Sequence, residues 1–364
     1  MTNTHSTNEY ASVALYAPNF YRTNYGFAGW SETQVDPTAA NALSTISTLA
    51  SQGKIYGPNE TITVPVYTSA SALKLYAVWV PKDTTYNLQT FASSNRCSTM
   101  SEGDLIALQD SRDSNVYTVA KLADGNCWMT ENLKLDPSDS NTSITASNTN
   151  NPTNTFIDTD ITLSNITDKT GKKAYTNNYF RTCTDTNSTN GPTCMDQISF
   201  GLGNLTGTSS NYSSSNQTTR WYAYGIMYNW YTATAGNGTY SKSSGVTDGD
   251  ICPAGWHLPY GGSGTGTKGG NTDGGFYYLG SRLGATSSNA TSSNIWRSYP
   301  NNFVYSGYYL GTSAYSRGSD GYYWSSTATN NTYGYSLGFR SSAVFPGTDI
   351  DNKYYGQAVR CLAD

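Results

Sequence analysis

Apolar positions in this chain come in short runs, and their period changes from one run to the next. Leu43, Ile46, Leu49 and Ala50 recur at helical spacing, the single stripe of an amphipathic helix. Asp36-Pro37 ahead of them offers an N-cap and a first-turn proline, and Gly53 offers a stop. Residues 17–22 and 26–30 read as short strand pieces, and 60–65 and 72–80 as strands. In the last of these Leu73, Leu75, Ala77 and Trp79 share one face of a period-2 pattern. Further on, residues 105–109 and 116–122 flank a turn at 110–113 and predict a hairpin. Asp124-Gly-Asn126 then makes a tight turn into Cys127-Trp-Met129. Residues 136–220 are thin in large apolar side chains and read as a surface-packed insertion clipped by Cys183 and Cys194. Residues 221–231 return to the core, 276–283 predict a short helix, and Tyr333-Gly-Tyr-Ser-Leu-Gly-Phe339 alternates as a strand. The pattern predicts an α+β protein, loop-rich, with antiparallel strands and few short helices. It divides into a disordered tail (1–16), a cysteine-free block (17–81), a linker or docking strand (82–96) and a larger domain (97–364).

Composition narrows the class. Charged residues are 13% of 364, with a net charge of −4, against about 25% in ordinary globular chains. A nucleic-acid binder needs a basic footprint, and this chain has none. No run approaches the ~20 apolar residues of a membrane span, and the first residues lack the basic and apolar regions of a signal peptide. The 31 Tyr and 8 Trp are enough to bury a core, since each ring brings ~150–250 Å². These features predict a folded piece of an extracellular, cell-surface protein whose leader and anchor lie outside this stretch.

Two histidines, one of them His5 in the tail, leave no pair of imidazoles for catalysis. The six cysteines, Cys97, Cys127, Cys183, Cys194, Cys252 and Cys361, all follow residue 96. They lack the short spacings and histidines of a zinc site and read as disulfides of an oxidising compartment, with about 15 possible connectivities.

Two resemblances add to this. Tyr25-Gly-Phe-Ala-Gly-Trp-Ser31 and Leu75-Tyr-Ala-Val-Trp79 resemble the Listeria–Bacteroides repeat, a small β-grasp-like module of bacterial surface proteins, which implies a spacer. Asp124-Gly-Asn-Cys-Trp-Met-Thr-Glu-Asn-Leu133, Tyr228-Asn-Trp-Tyr-Thr-Ala233 and Ile251-Cys-Pro-Ala-Gly-Trp-His-Leu-Pro259 come next. They are followed by Tyr323-Trp-Ser-Ser-Thr327, Leu337-Gly-Phe339 and Gly356-Gln-Ala-Val-Arg-Cys361. In order and content these motifs resemble the Fibrobacter succinogenes major paralogous domain, which implies a C-type-lectin-like fold. Their last segment is also similar to the variable proteins of diversity-generating retroelements, in which adenine-directed mutagenesis rewrites a ligand-binding face on a constant scaffold. The fold analogy implies the pairs Cys252–Cys361 and Cys97–Cys127.

The composition of the C-terminal segment agrees in kind. Residues 301–364 hold 10 Tyr, 9 Ser, 8 Gly and 5 Asn among 64 positions, the alphabet of antibody paratopes. The binding region is expected at 305–357. Its outward residues are expected to be Tyr308, Tyr309, Tyr322, Tyr323, Asn331, Tyr333, Tyr335, Arg340, Phe345, Asp349, Asp351, Lys353, Tyr354 and Tyr355.

Gly255-Trp-His-Leu-Pro259 also resembles a motif of formylglycine-generating enzymes. The Glu-rich helix and the reactive cysteine pair of those enzymes have no counterpart here, so no catalysis and no cofactor are expected. Asp248-Gly-Asp250 and Asp349-Ile-Asp351 offer hard oxygen ligands, without the triplets of calcium-dependent lectins. No metal is therefore assigned. The expected partner is a protein or glycan, on another cell for example, and neither nucleic acid nor membrane. A lectin and a passive surface protein are the alternative readings.

Overall fold

A computed structural model of the chain describes residues 10–18, 20–65, 73–135, 142–145, 147–150, 224–235, 245–262, 269–310, 313–353 and 355–364. The first elements are β1 (Tyr10–Ala14), β2 (Tyr25–Ser31), α1 (Ala42–Ser51), β3 (Thr61–Pro65), β4 (Tyr76–Asn87) and α2 (Leu88–Ser93). Next come β5 (Leu105–Gln109), β6 (Val116–Lys121), β7 (Cys127–Met129), α3 (Trp230–Ala233), β8 (Gly245–Val246) and β9 (Trp256–His257). The C-terminal part holds α4 (Phe276–Arg282), α5 (Ala290–Arg297), β10 (Tyr308–Leu310) and β11 (Ser313–Tyr315). It ends with β12 (Asp320–Ala328), β13 (Tyr333–Arg340), β14 (Ala343–Asn352) and β15 (Leu362–Ala363). The result is a sheet-rich α+β protein with few short helices, as the pattern predicts.

One sheet runs β2-β4-β5-β6-β7-β15-β9 and a second runs β14-β13-β12-β8. Every neighbouring pair is antiparallel except β4 and β5. Residues 82–96 hold the docking strand rather than a free linker: β4 continues to Asn87, docks in parallel on β5, and passes into α2, where Asn87 and Thr90 form a capping box. The N-terminal block therefore shares one sheet with the rest of the molecule. The tail is shorter than expected as well, since β1 pairs antiparallel with β3.

Helix α1 starts later than Asp36-Pro37 suggests. Asp36 instead holds a local turn, accepting from the Thr38 backbone N–H at 2.9 Å and its hydroxyl at 2.7 Å. The helix buries Ala42, Ile46 and Leu49 in a small core with Ala28, Val35, Val78 and Val80. Along β4 the predicted alternation holds as far as Ala77. Val78, Trp79 and Val80 are then all buried, because the strand is central and both its faces are covered.

The main core is aromatic. Trp128, Trp230, Trp256, Trp296 and Trp324 are fully buried, and each indole N–H finds an acceptor. Trp324 Nε1 donates to the Tyr228 carbonyl at 2.8 Å, Trp230 to Ser325 at 2.9 Å, Trp256 to Leu88 at 2.7 Å and Trp296 to Ala285 at 3.0 Å. Trp128 donates to the Asp124 carboxylate at 2.9 Å. A buried indole left unpaired would cost roughly 1–3 kcal/mol.

Disulfides join Cys97 to Cys127 and Cys252 to Cys361, the two pairs that the fold analogy implies. Cys183 and Cys194, and most of the 136–220 insertion, lie outside the described residues. Among the described residues no helix is long and apolar enough to cross a membrane.

The N-terminal block is also fastened from the side. Asn302 Nδ2 donates to the Ala28 carbonyl at 2.7 Å, Asn59 Oδ1 accepts from the Tyr305 N–H at 2.9 Å, and Asn294 exchanges hydrogen bonds with Thr61 at 2.7 and 3.1 Å. Arg297 donates to the Asn59 carbonyl. Gly57 permits the close approach: a Cβ there would lie 1.9 Å from the Arg297 carbonyl oxygen.

Candidate functional site

Side chains on β12, β13 and β14 alternate between two faces. The inner face carries Tyr323, Leu337, Phe339 and Val344 into the core. The outer face carries Asp320 and Tyr322 from β12, Ser336, Gly338 and Arg340 from β13, and Phe345, Asp349 and Asp351 from β14. The cross-strand register sets Tyr322 opposite Gly338, Gly338 opposite Phe345, and Ser336 opposite Asp349.

The β10–β11 hairpin brings further rings to this face. Gly307 donates its N–H to the Asp320 carbonyl at 2.8 Å, which ties the start of β10 to the start of β12. Tyr308 then meets Tyr322 edge to face, with centroids 5.3 Å apart. Its own ring is stacked between Tyr315 and Tyr355, each at 5.4 Å. Such contacts add about 0.5–1.5 kcal/mol each beyond area burial.

Carboxylates flank the rings. The Tyr322 hydroxyl points at Asp320 Oδ2, 3.5 Å away. Asp351 Oδ2 accepts from Ser336 Oγ at 2.9 Å and from Gln357 Nε2 at 2.7 Å. The Asp349 carboxylate lies over Gly338. Burial, followed by the like charge of Asp351, pushes the Asp349 carboxyl up to about 6. Asp351 is also raised by burial, and the Tyr322 phenol is raised by burial and then by Asp320, Asp349 and Asp351. Arg340, at the end of β13, lies over the Phe345 ring at 5.7 Å.

Tyr308, Tyr322, Arg340, Phe345, Asp349, Asp351 and Tyr355 thus come together on one face, as half-buried or exposed side chains. Of the other expected residues that are described, Tyr323, Asn331, Tyr333, Tyr335 and Lys353 do not join them. Tyr323 is 0% exposed; it sits one residue from Tyr322 on the opposite side of the pleat, and its hydroxyl bonds to the Val304 N–H and carbonyl at 2.9 and 3.0 Å. Lys353 is also 0% exposed, with its ammonium 4.3 Å from the Trp230 ring centre. Both are corrections to the expected outward set.

Tyr335 is half-buried on the inner side of β13, against Gly261 and Gly262. Tyr333 is 37% exposed on the same side. Asn331 is exposed in the β12–β13 turn. The Tyr309 side chain and Tyr354 lie outside the described residues.

Tyr315, Asp320, Ser336 and Gln357 belong to the site and were not singled out in the sequence. Asp320 was within reach of the pattern, since it precedes Tyr322 by two and so shares its face.

Other polar clusters are structural. Asp250 spends its oxygens on the Cys252 N–H (2.9 Å), the Leu258 N–H (2.8 Å) and Asn150 (3.1 Å). His257 Nδ1 contacts the Asp364 carboxylate at 2.5 Å while its ring stacks on Tyr260. Among the described residues no three His, Cys, Asp or Glu side chains gather as a metal site.

A cavity of about 230 Å³ lies at the seam of the N-terminal block, lined by Phe20, Phe27, Trp79, Glu131, Asn302 and Arg360, among others. Arg360 donates there to Asn132 Oδ1 at 2.8 Å and to the Asn301 carbonyl at 2.6 Å. Those bonds lie within the larger region, and Asn302 on the same wall reaches across to the Ala28 carbonyl. Compared with family models, curated proteins and solved structures, the chain finds no match.

Proposed function

We propose that this chain is a surface-displayed binding protein: a lectin-like scaffold whose outer β12–β14 face, rimmed by the β10–β11 hairpin, holds a tyrosine-rich ligand site diversified by a retroelement. The observation that carries this reading is the convergence of Tyr308, Tyr315, Tyr322 and Tyr355 on one sheet face, opposite a closed aromatic core. Tyrosine supplies large, rigid contact area with a polar tip and little rotamer entropy to lose. The scaffold beneath is braced by two disulfides, which suits an oxidising exterior and lets the face vary without loss of the frame.

The motif order that resembles the Fibrobacter succinogenes major paralogous domain supports the scaffold half of this reading. The test is genomic: sequence the DNA flanking the gene. A reverse transcriptase gene and a near-copy of the segment encoding residues 305–357, differing at adenines, are expected. Their absence leaves a binding protein of fixed specificity or a passive surface protein.

A further inference from the structure

Trp79 differs from the five fully buried tryptophans. It is 9% exposed, yet its indole N–H meets no acceptor among the described residues and is not sealed from solvent. Its ring forms part of the wall of the cavity of about 230 Å³ at the seam of the N-terminal block.

Arg360, on the same wall, is the second anomaly. It is 1% exposed, and its hydrogen bonds go to neutral acceptors, Asn132 Oδ1 and the carbonyls of Asn301 and Asn302. Its guanidinium carbon lies 4.2 Å from the Phe303 ring centre. A charge taken out of water is normally paired with an opposite one. Glu131, the one carboxylate on the described lining, is engaged elsewhere. Its Oε1 accepts from Lys134 Nζ at 3.2 Å and its Oε2 from the Thr118 N–H at 2.8 Å. Burial lowers the Arg360 guanidinium to about 10.

The rest of the cavity is shaped for a ring. Phe27 meets Trp79 edge to face at 5.6 Å, and Phe20 approaches the same indole at 5.9 Å. Phe20 and Arg22 are exposed, so this side of the lining is the mouth. A cavity of ~150 Å³ holds benzene; about 230 Å³ adds room for a short polar substituent.

We propose that this cavity binds a small organic acid, one carboxylate carried on a single flat apolar ring. The inference goes beyond the tyrosine face and does not rest on it. The ring packs against Phe20, Phe27 and Trp79. The carboxylate accepts from the Trp79 indole N–H and supplies the negative charge that Arg360 lacks. Hydrogen bonds to an ionised acceptor are about twice as strong as neutral ones. An amine would face the like charge of Arg22 and Arg360, and a neutral ring would leave Arg360 without a counter-charge.

The probe is phenylacetate, titrated into the full chain carrying indole-labelled tryptophan and followed by NMR. The Trp79 signal is assigned through its contacts with the Phe27 ring. Phenylacetamide, the same shape without the charge, is the comparison. A saturable shift of the Trp79 indole N–H is expected with phenylacetate, while the five fully buried indoles move little. Phenylacetamide should bind more weakly by roughly tenfold or more. By calorimetry, Trp79→Phe should weaken phenylacetate by roughly fivefold or more.

Equal affinity for acid and amide overturns the proposal. So does the absence of a saturable shift, or a saturable shift confined to other indoles. The acid–amide comparison uses only the native chain, so a variant that folds poorly does not blunt it.

Discussion

Asp349 fills the space that a side chain on Gly338 would need: a Cβ at Gly338 would lie 2.1 Å from Asp349 Oδ2. The bare backbone of β13 is thus the bed on which an acidic group of β14 rests. Gly338→Ala should expel the carboxylate and strain the β13–β14 pair, costing roughly 1–3 kcal/mol, as overpacking does. Thermal denaturation would check the loss. An unchanged melting temperature would show that Asp349 has another resting place.

Tyr322 and Tyr323 are neighbours in sequence with opposite duties. Tyr323→Phe removes the hydroxyl that serves both backbone groups of Val304, so a loss of about 1–3 kcal/mol is expected. Tyr322→Phe removes a hydroxyl that only faces Asp320 at 3.5 Å and should change stability by a few tenths at most. Paired urea titrations would separate the two. Equal losses would contradict the assignment of faces.

Asp349 also gives a pH signature. Its folded carboxyl titrates at about 6, against 3.8 for an unperturbed group. Between those values the folded chain holds a proton that the unfolded chain releases, so this group's contribution to stability falls as pH rises. The penalty is absent below the lower value and complete above the upper one. Asp349→Asn should therefore flatten the pH dependence of melting across that window and raise the melting temperature near neutral pH. A steeper dependence in the variant would contradict the burial of this carboxylate.

The Cys252–Cys361 bridge spans 109 residues of sequence and fixes the C-terminal β15 beside β9. Replacing both cysteines by serine should cost roughly 2–5 kcal/mol, read as a lowered denaturation midpoint under non-reducing conditions. Wild-type protein treated with reductant should fall further than the variant, because Cys97–Cys127 is opened as well.

Local signals were legible in the sequence, and long-range ones were not. The 105–122 hairpin and the Asp124-Gly125 turn stand where the pattern put them, because alternation and turn chemistry act over a few residues. Helix α4 was equally plain. Helix α5 was missed because Ala290–Arg297 offers only Ile295 and Trp296 as large apolar side chains; its clearest mark is Asn289, whose side chain caps the Ser292 N–H at 2.8 Å. A docking strand was one reading of residues 82–96, but its partner was not legible, because β4 and β5 join across the expected domain boundary and no short window records it. Tyrosine density marked the C-terminal segment but not which side of each strand a ring takes. Tyr322 and Tyr323 look alike in composition, and only the pleat tells them apart.

The packing of the N-terminal block supports a fifth prediction. A chain lacking residues 10–81 would keep the Lys82–Asn87 stretch that pairs with β5 but uncover Ala107, which is now fully buried in the small core with Val78 and Val80. It should express as aggregate or bind a hydrophobic dye strongly, whereas an independent stalk module could be cut away without harm.

With β4 belonging to both regions, tension drawn along the N-terminal block would pass into the larger sheet through the Lys82–Asn87 stretch.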